Sequence, residues 1–212
     1  MILYDYCRSS AAYRVRIALN LKELSYEQIP VNLVSGEHRE AIHQERNPQA
    51  LVPVLEDQGM QITQSLAICE YLDEAYPRSI ALVRGTPVEK AQQRSFAQAI
   101  ACDIHPVNNL RVLQYLVGEM GVDEEKKMQW YHHWIHKTFA ALETILENRE
   151  EQTDFCFAQQ PTLADVCLVP QVFNANRFQL DMSAYPLITQ INDRCQSLDA
   201  FAKAHPNLQP GA

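Results

Sequence analysis

The chain has 212 residues, long for one compact domain and ample for two, with 47% hydrophobic residues, 21% charged residues and a formal net charge of −8. That acidic balance gives nucleic acid no electrostatic footing, and it means that an anionic small molecule has to be drawn in by locally placed arginine or lysine. No stretch approaches the roughly 18 apolar residues of a membrane span. The start, Met1-Ile2-Leu3-Tyr4-Asp5, has neither the basic residues nor the apolar stretch of a signal peptide. The six cysteines (Cys7, Cys69, Cys102, Cys156, Cys167 and Cys195) show no CxxC and no paired spacing, so free thiols in a cytoplasmic protein are expected.

The first eighty residues alternate short apolar runs with helical periods. Ile2–Tyr6 reads as a strand, and the spacing of Ala11, Val15, Ala18 and Leu19 predicts a helix to about Lys22. Tyr26–Leu33 reads as a second strand, Glu37–Asn47 as a weaker helix, and Val54-Leu55-Glu56 as a third strand approached through Leu51-Val52-Pro53. After a turn at Gln58-Gly59, Met60–Thr63 is a fourth strand, and a helix opens at Leu66 with Ile68, Tyr71 and Leu72 on its apolar face. The order β-α-β-α-β-β-α matches a thioredoxin-like domain, a parallel first pair followed by a hairpin.

Pro77 through Pro87 carries two prolines and a glycine and marks a linker, which divides the chain into residues 1–80 and an all-α region 86–212. Val88 to about Met120 reads as one helical run with Pro106 as a kink. Lys126–Asn148 is a second, with Ile135, Phe139, Leu142 and Leu146 on one stripe, and Thr162–Ala175 and Tyr185–Lys203 follow. Thr162 and Asp165 have the spacing of a capping box, worth about 1 kcal/mol, and a cap accounts for both residues.

The stretch Cys7-Arg8-Ser9-Ser10-Ala11-Ala12-Tyr13-Arg14 carries the chemistry. It is a strand-to-helix turn with hydroxyls at a helix N-terminus, where free N–H groups and the macrodipole favour an anion. A thiolate held there has a depressed pKa, because the ionised form is the one stabilised. Serines that merely cap the helix are the competing reading. Two further features bear on the choice. A cis proline at Val52-Pro53 would leave the Val52 backbone free for an extended peptide, and Gln64-Ser65 before a helix suits a peptide carboxylate. Together the three surround a small acidic thiol peptide at one edge of the sheet.

The sequence resembles the zeta-class glutathione transferases, the maleylacetoacetate and maleylpyruvate isomerase family. The resemblance covers the whole chain and rests on RSSAAYRVRIAL (Arg8–Leu19), NPQALVPVL (Asn47–Leu55), QSLAICEYL (Gln64–Leu72), PTLADVCLVPQV (Pro161–Val172) and NANRFQLDMSAYP (Asn174–Pro186). It implies a glutathione transferase fold, α+β, with a thioredoxin-like domain followed by an all-α domain. It implies that Ser9, with Ser10 beside it, supports the thiolate of glutathione, and that His38, Val52, Gln64, Ser65, His105 and Asn109 contact this cofactor. It also implies a homodimer, and a substrate-carboxylate contact at Arg177. The family motif has a cysteine after the two serines where this chain has Ala11, which bears on substrate preference. Its tryptophan before RVR is Tyr13 here, which reads as packing.

The implied reaction is cis–trans isomerisation of an enedioate: thiolate addition, rotation about the resulting single bond, and elimination, with glutathione regenerated. Such a site has to stabilise a thiolate, clamp two carboxylates and stabilise developing charge. Arg8, Arg111 and Arg177 are the candidates for the clamp, since planar guanidinium matches carboxylate bidentately. Cys7 suggests a CxxS redox centre but reads better as packing at a strand end, and Tyr6 as core or site wall. His132 and His136 share a helix face without an acidic or cysteine partner for a metal and read as a solvated face. The alternatives are a general transferase that conjugates electrophiles or halogenated acids, and a non-catalytic docking module, which would not require Ser9, Ser10, Gln64 and Ser65.

Overall fold

The structure is a computed structural model that describes residues 1–212. The chain forms two compact units, Met1–Val83 with Gln196–Ala212, and Arg84–Cys195. No helix is long and apolar enough to cross a membrane.

In the first unit, strands β1 (Ile2–Asp5), β2 (Glu27–Pro30), β3 (Val54–Asp57) and β4 (Met60–Thr63) form one sheet in the order β2-β1-β3-β4. The pair β1/β2 is parallel, with Leu3 opposite Gln28, while β1/β3 and β3/β4 are antiparallel, with Leu3 opposite Leu55 and Leu55 opposite Ile62. Helices α1 (Ser10–Leu21) and α2 (Ala41–Arg46) connect strands, α3 (Ser65–Ala75) follows β4, and a 3-10 turn at Glu37–Arg39 precedes α2. This is a thioredoxin-like domain. The strand expected over Tyr26–Leu33 is confined to Glu27–Pro30, because β1 ends at Asp5 and the bond from the Val31 N–H to the Asp5 carbonyl is the last of the parallel ladder. Val31 then packs with Tyr4, Val52 and Val54, where Tyr6 and Leu33 join at the edge.

Helix α1 is buried from Ser10 through Leu19, so two arginines on it lie inside. Arg16 pairs with Asp5, both side chains fully buried, at 2.6 Å. Lys22 Nζ donates to Asp73 and to the Ile80 carbonyl, and Asp73 in turn accepts from the Leu82 and Val83 amides, which fastens the segment after α3. The chain's last part belongs to this unit as well. Helix α10 (Asp199–Ala204) offers its Ala204 carbonyl to Arg16 and its Ala200 carbonyl to Asn20, and Gln196 donates to the Tyr13 hydroxyl.

The second unit is helical: α4 (Pro87–Gln98), a π-helical turn (Ala99–Ile104), α5 (His105–Val107), α6 (Leu110–Gly118), α7 (Glu124–Glu147), α8 (Leu163–Arg177) and α9 (Pro186–Gln196). The run expected from Val88 to Met120 is divided, and Pro106 is only part of the cause. The π turn precedes it, and Asn109, in extended conformation, ends the ladder and caps α6. The run expected over Tyr185–Lys203 also breaks, at extended Leu198, shortly after the chain passes from one unit to the other between Cys195 and Gln196. On α7, Ile135, Phe139, Leu142 and Leu146 are all buried; each such side chain contributes about 1.5–3 kcal/mol. The capping box of α8 forms, with Asp165 accepting from Thr162 N at 2.7 Å. The same carboxylate accepts from Cys156 N and pins the loop before the helix. Its burial raises its pKa against the lowering effect of these bonds.

Candidate active site

Ser9 is the N-cap of α1. Its φ and ψ of −75° and 117° are extended, and its Oγ accepts the Ala12 N–H at 3.2 Å. The hydroxyl satisfies the helix as an acceptor, so its O–H remains to be donated. Capping and support of an anion are thus compatible roles of one side chain. Ser10 beside it is buried, and Arg8 just before it is exposed. Ala11 is buried in the first turn.

The loop before β3 is held by two buried side chains. His43 Nε2 and Asn47 Nδ2 both meet the Leu51 carbonyl, at 3.0 and 2.8 Å. The next peptide bond, Val52–Pro53, is cis, and Val52 lies outside the ladder, which on β3 begins at Val54. From this loop Gln49 Oε1 accepts Gln64 Nε2 at 2.9 Å, which ties it to the start of α3. Gln64 occupies the N-cap of α3 at φ 68°, a left-handed conformation uncommon for a side chain of this kind. Ser65, the first residue of the helix, is buried and accepts Arg14 Nη1 at 3.3 Å. One chain of contacts therefore runs from α1 through Arg14 to the amino end of α3 and on to the loop before β3.

His38 stands in the 3-10 turn. Its Nε2 accepts from Arg39 Nε at 3.3 Å, which puts the ring proton on Nδ1, where it is buried and unpartnered. Burial, then the Arg39 charge, lowers its pKa below the ordinary histidine value, in keeping with a neutral ring.

In the second unit, Asn109 caps α6 by accepting Arg111 N at 3.2 Å, and its Nδ2 lies 3.5 Å from His105 Nε2. Arg111 is exposed on the first turn of α6. Arg177 ends α8, exposed, with its guanidinium 5.2 Å from the Phe178 ring centre. Neither arginine pairs with a carboxylate, nor does Arg8.

Cys7 is buried and donates its thiol to the Gly211 carbonyl. Tyr13, fully buried, takes its hydrogen bond from Gln196, which fits packing. The histidine face of α7 differs from the solvated face expected of it. His132 and His136 are half-buried and meet the Phe178 carbonyl at 2.8 Å and the Tyr185 hydroxyl at 2.7 Å. No group of three potential ligands could hold a metal ion. Arg14 is the residue that the sequence reading passed over. Its signal was present, a charge at i+3 from Ala11 and i−4 from Ala18 on an apolar stripe.

A thioredoxin-like unit whose first helix opens on serines, followed by a helical unit, is the architecture of the glutathione transferases. Residues 1–74 match the model of the glutathione S-transferase N-terminal domain. The chain is 51% identical to a probable maleylacetoacetate isomerase of Vibrio cholerae, over all of this chain and 98% of that one. Among solved structures it matches a maleylpyruvate isomerase described as a bacterial zeta-class glutathione S-transferase, with TM-score 0.97, 42% identity and full coverage of both chains. It also matches a maleylacetoacetate isomerase of Methylobacterium extorquens AM1 with malonate and glutathione bound, with TM-score 0.96, 38% identity and coverage of 100% and 99%. The chain belongs to the maleylacetoacetate/maleylpyruvate isomerase family, the zeta class of glutathione transferases.

Proposed function

We propose that this protein is a cytoplasmic, homodimeric, glutathione-dependent cis–trans isomerase of maleylacetoacetate or maleylpyruvate. The observation that carries the reading is Ser9: a hydroxyl at the amino end of α1 whose acceptor side is used by the helix and whose O–H is unspent. The residues fit glutathione in two respects. An unspent hydroxyl at a helix N-terminus suits a thiolate, and the amino end of α3, with the Ser65 hydroxyl and Arg14 behind it, suits a peptide carboxylate. The related enzyme with malonate and glutathione bound supports both a thiol peptide and a dicarboxylate as ligands.

When bound, glutathione supplies the nucleophilic sulfur that adds to the cis double bond and leaves again after rotation. Ser9 donates its O–H to that sulfur and favours its ionised form, with Ser10 adjacent. Val52 presents its backbone, Gln64 and Ser65 hold a carboxylate, and His38, His105 and Asn109 make further polar contacts. Arg8, Arg111 and Arg177 take the two substrate carboxylates, a task for which the net charge of −8 leaves no long-range substitute. The free cysteines, five of six buried, suit a reducing compartment.

The test follows maleylpyruvate and maleylacetoacetate spectroscopically with and without glutathione while free thiol is measured. Turnover that requires glutathione and leaves its concentration unchanged is expected. Stoichiometric loss of thiol would make the protein a conjugating transferase, and the absence of any turnover would leave a binding module.

A further inference from the structure

Two arginines of α1 lie inside the first unit, and their charges are met very differently. Arg16 is fully satisfied: Nη1 binds Asp5 Oδ2 at 2.6 Å, and Nε and Nη2 bind the Ala204 and Cys7 carbonyls at 3.0 Å each. Arg14 is 1% exposed and has one partner, Ser65 Oγ, while its Nε and Nη2 are buried and unpartnered. A guanidinium keeps its charge on burial and presents a fixed fork of donors. A buried charge with unmet donors is costly to hold, and nothing in the unit's own structure offsets it.

The surroundings sharpen the imbalance. Ser65 opens the 11-residue helix α3, whose first amides carry the positive end of its dipole. Two positive features therefore stand side by side with no carboxylate between them. The contact also sets the direction of the Ser65 hydroxyl. Its oxygen accepts from Arg14, so its own O–H is left to donate elsewhere. The site is complete once an anion arrives.

We propose that Arg14 is a positioning residue for one carboxylate of glutathione, supplying the buried positive charge behind the amino end of α3 and turning the Ser65 hydroxyl into a donor toward that carboxylate. The proposal rests on the reading that glutathione binds this unit. Arg14 acts through Ser65 and through the field, and it is retained at a cost to the ligand-free protein.

The experiment measures binding by calorimetry for three ligands: glutathione, γ-aminobutyryl-cysteinylglycine, which lacks the glutamyl carboxylate, and the glycine amide of glutathione, which lacks the other. Arg14→Met, uncharged and of similar length, is expected to weaken glutathione by about 10- to 100-fold, the range of one charge-assisted hydrogen bond. It should weaken equally the analogue that keeps the relevant carboxylate, and leave unchanged the one that lacks it. In the same variant the ligand-free melting temperature should equal or exceed that of the wild type, because an unmet charge has been removed. A merely structural arginine would lower that temperature and would not discriminate among the ligands; either result overturns the proposal. Should Arg14→Met be insoluble, Ser65→Ala reads the same contact with the cation in place. A lost preference for the carboxylate-bearing ligand supports the proposal, and a retained one overturns it. Failure of the wild type to bind glutathione at all would overturn the functional reading itself, whereas normal wild-type binding with an indifferent Arg14→Met variant overturns this inference alone.

Discussion

Ser9 carries two roles on different atoms of one hydroxyl, and the two can be separated by substitution. Ser9→Ala removes the acceptor that the Ala12 N–H uses at 3.2 Å, at a cost of about 1 kcal/mol in stability. It also removes the donor to the thiolate, worth about 1.5–3 kcal/mol, so the rate should fall by roughly 10- to 150-fold. Ser9→Gly separates the effects, since glycine caps nearly as well as serine, within a few tenths of a kcal/mol, but offers no donor. Ser9→Thr keeps both functions. Denaturant unfolding reads the cap, and conversion of maleylpyruvate at saturating glutathione reads the donor. A third readout is the ultraviolet absorbance of bound thiolate against pH. Its midpoint should rise by about one to two units in both Ser9→Ala and Ser9→Gly, because the donor that favours the ionised form is gone. The Ser9→Ala/Ser10→Ala double variant measures how far Ser10 substitutes. Full activity in Ser9→Gly beside a slow Ser9→Ala would refute the reasoning and leave Ser9 as a cap alone.

Gln64→Ala and Ser65→Ala should raise the glutathione concentration needed for half-maximal rate while the saturated rate changes little, as expected of groups remote from the reacting sulfur; the reverse pattern in steady-state kinetics would contradict their placement. Arg111→Ala and Arg177→Ala should cost more on a dicarboxylate substrate than on a neutral electrophile such as a chlorinated nitrobenzene, with Arg→Lys intermediate because it keeps charge but loses the fork. Equal losses on both substrates would remove these arginines from the carboxylate clamp. For His205, burial and then the Arg16 charge lower the pKa from its usual 6.5. The unfolded chain therefore takes up this proton first as the solution is acidified, and stability should decline as pH falls through and below 6.5. His205→Gln should flatten that slope in melting temperature against pH, and an unaltered slope would assign it to other groups such as His38.

The element order of the first unit was legible because its signals are local: short apolar runs at β1 and β3, helical spacing from Ala11 to Leu19, and a Gln-Gly turn between β3 and β4. Boundaries that depend on distant partners were less so. Strand β2 ends at Pro30 because its partner β1 ends at Asp5, which takes the last ladder bond from the Val31 amide, and the final helical run divides at Leu198, whose extended backbone starts a new helix in the first unit. The π turn at Ala99–Ile104 has no compositional mark. Within the candidate site, the serines at α1 and the Gln-Ser pair at α3 stand out by residue type and position, but Arg14 does not. Periodicity places it among core positions, and only the contrast between a satisfied Arg16 and an unsatisfied Arg14 gives the buried charge a meaning. His132 and His136 are hidden from sequence for a similar reason, since their carbonyl and hydroxyl partners lie more than forty positions along the chain.

The attachment of the last residues to α1 bears on how this protein is made. During synthesis the residues of the sheet leave the ribosome well before those of α10, yet Arg16 Nε, Asn20 and the Cys7 thiol find their acceptors only at Ala204, Ala200 and Gly211. The sheet-bearing unit thus waits for residues 196–212 to be finished, with the helical unit emerging in between. Nascent chains stalled before α10 should remain sensitive to protease at α1, and a premature stop codon between α9 and α10 would damage a unit whose sheet was translated long before it.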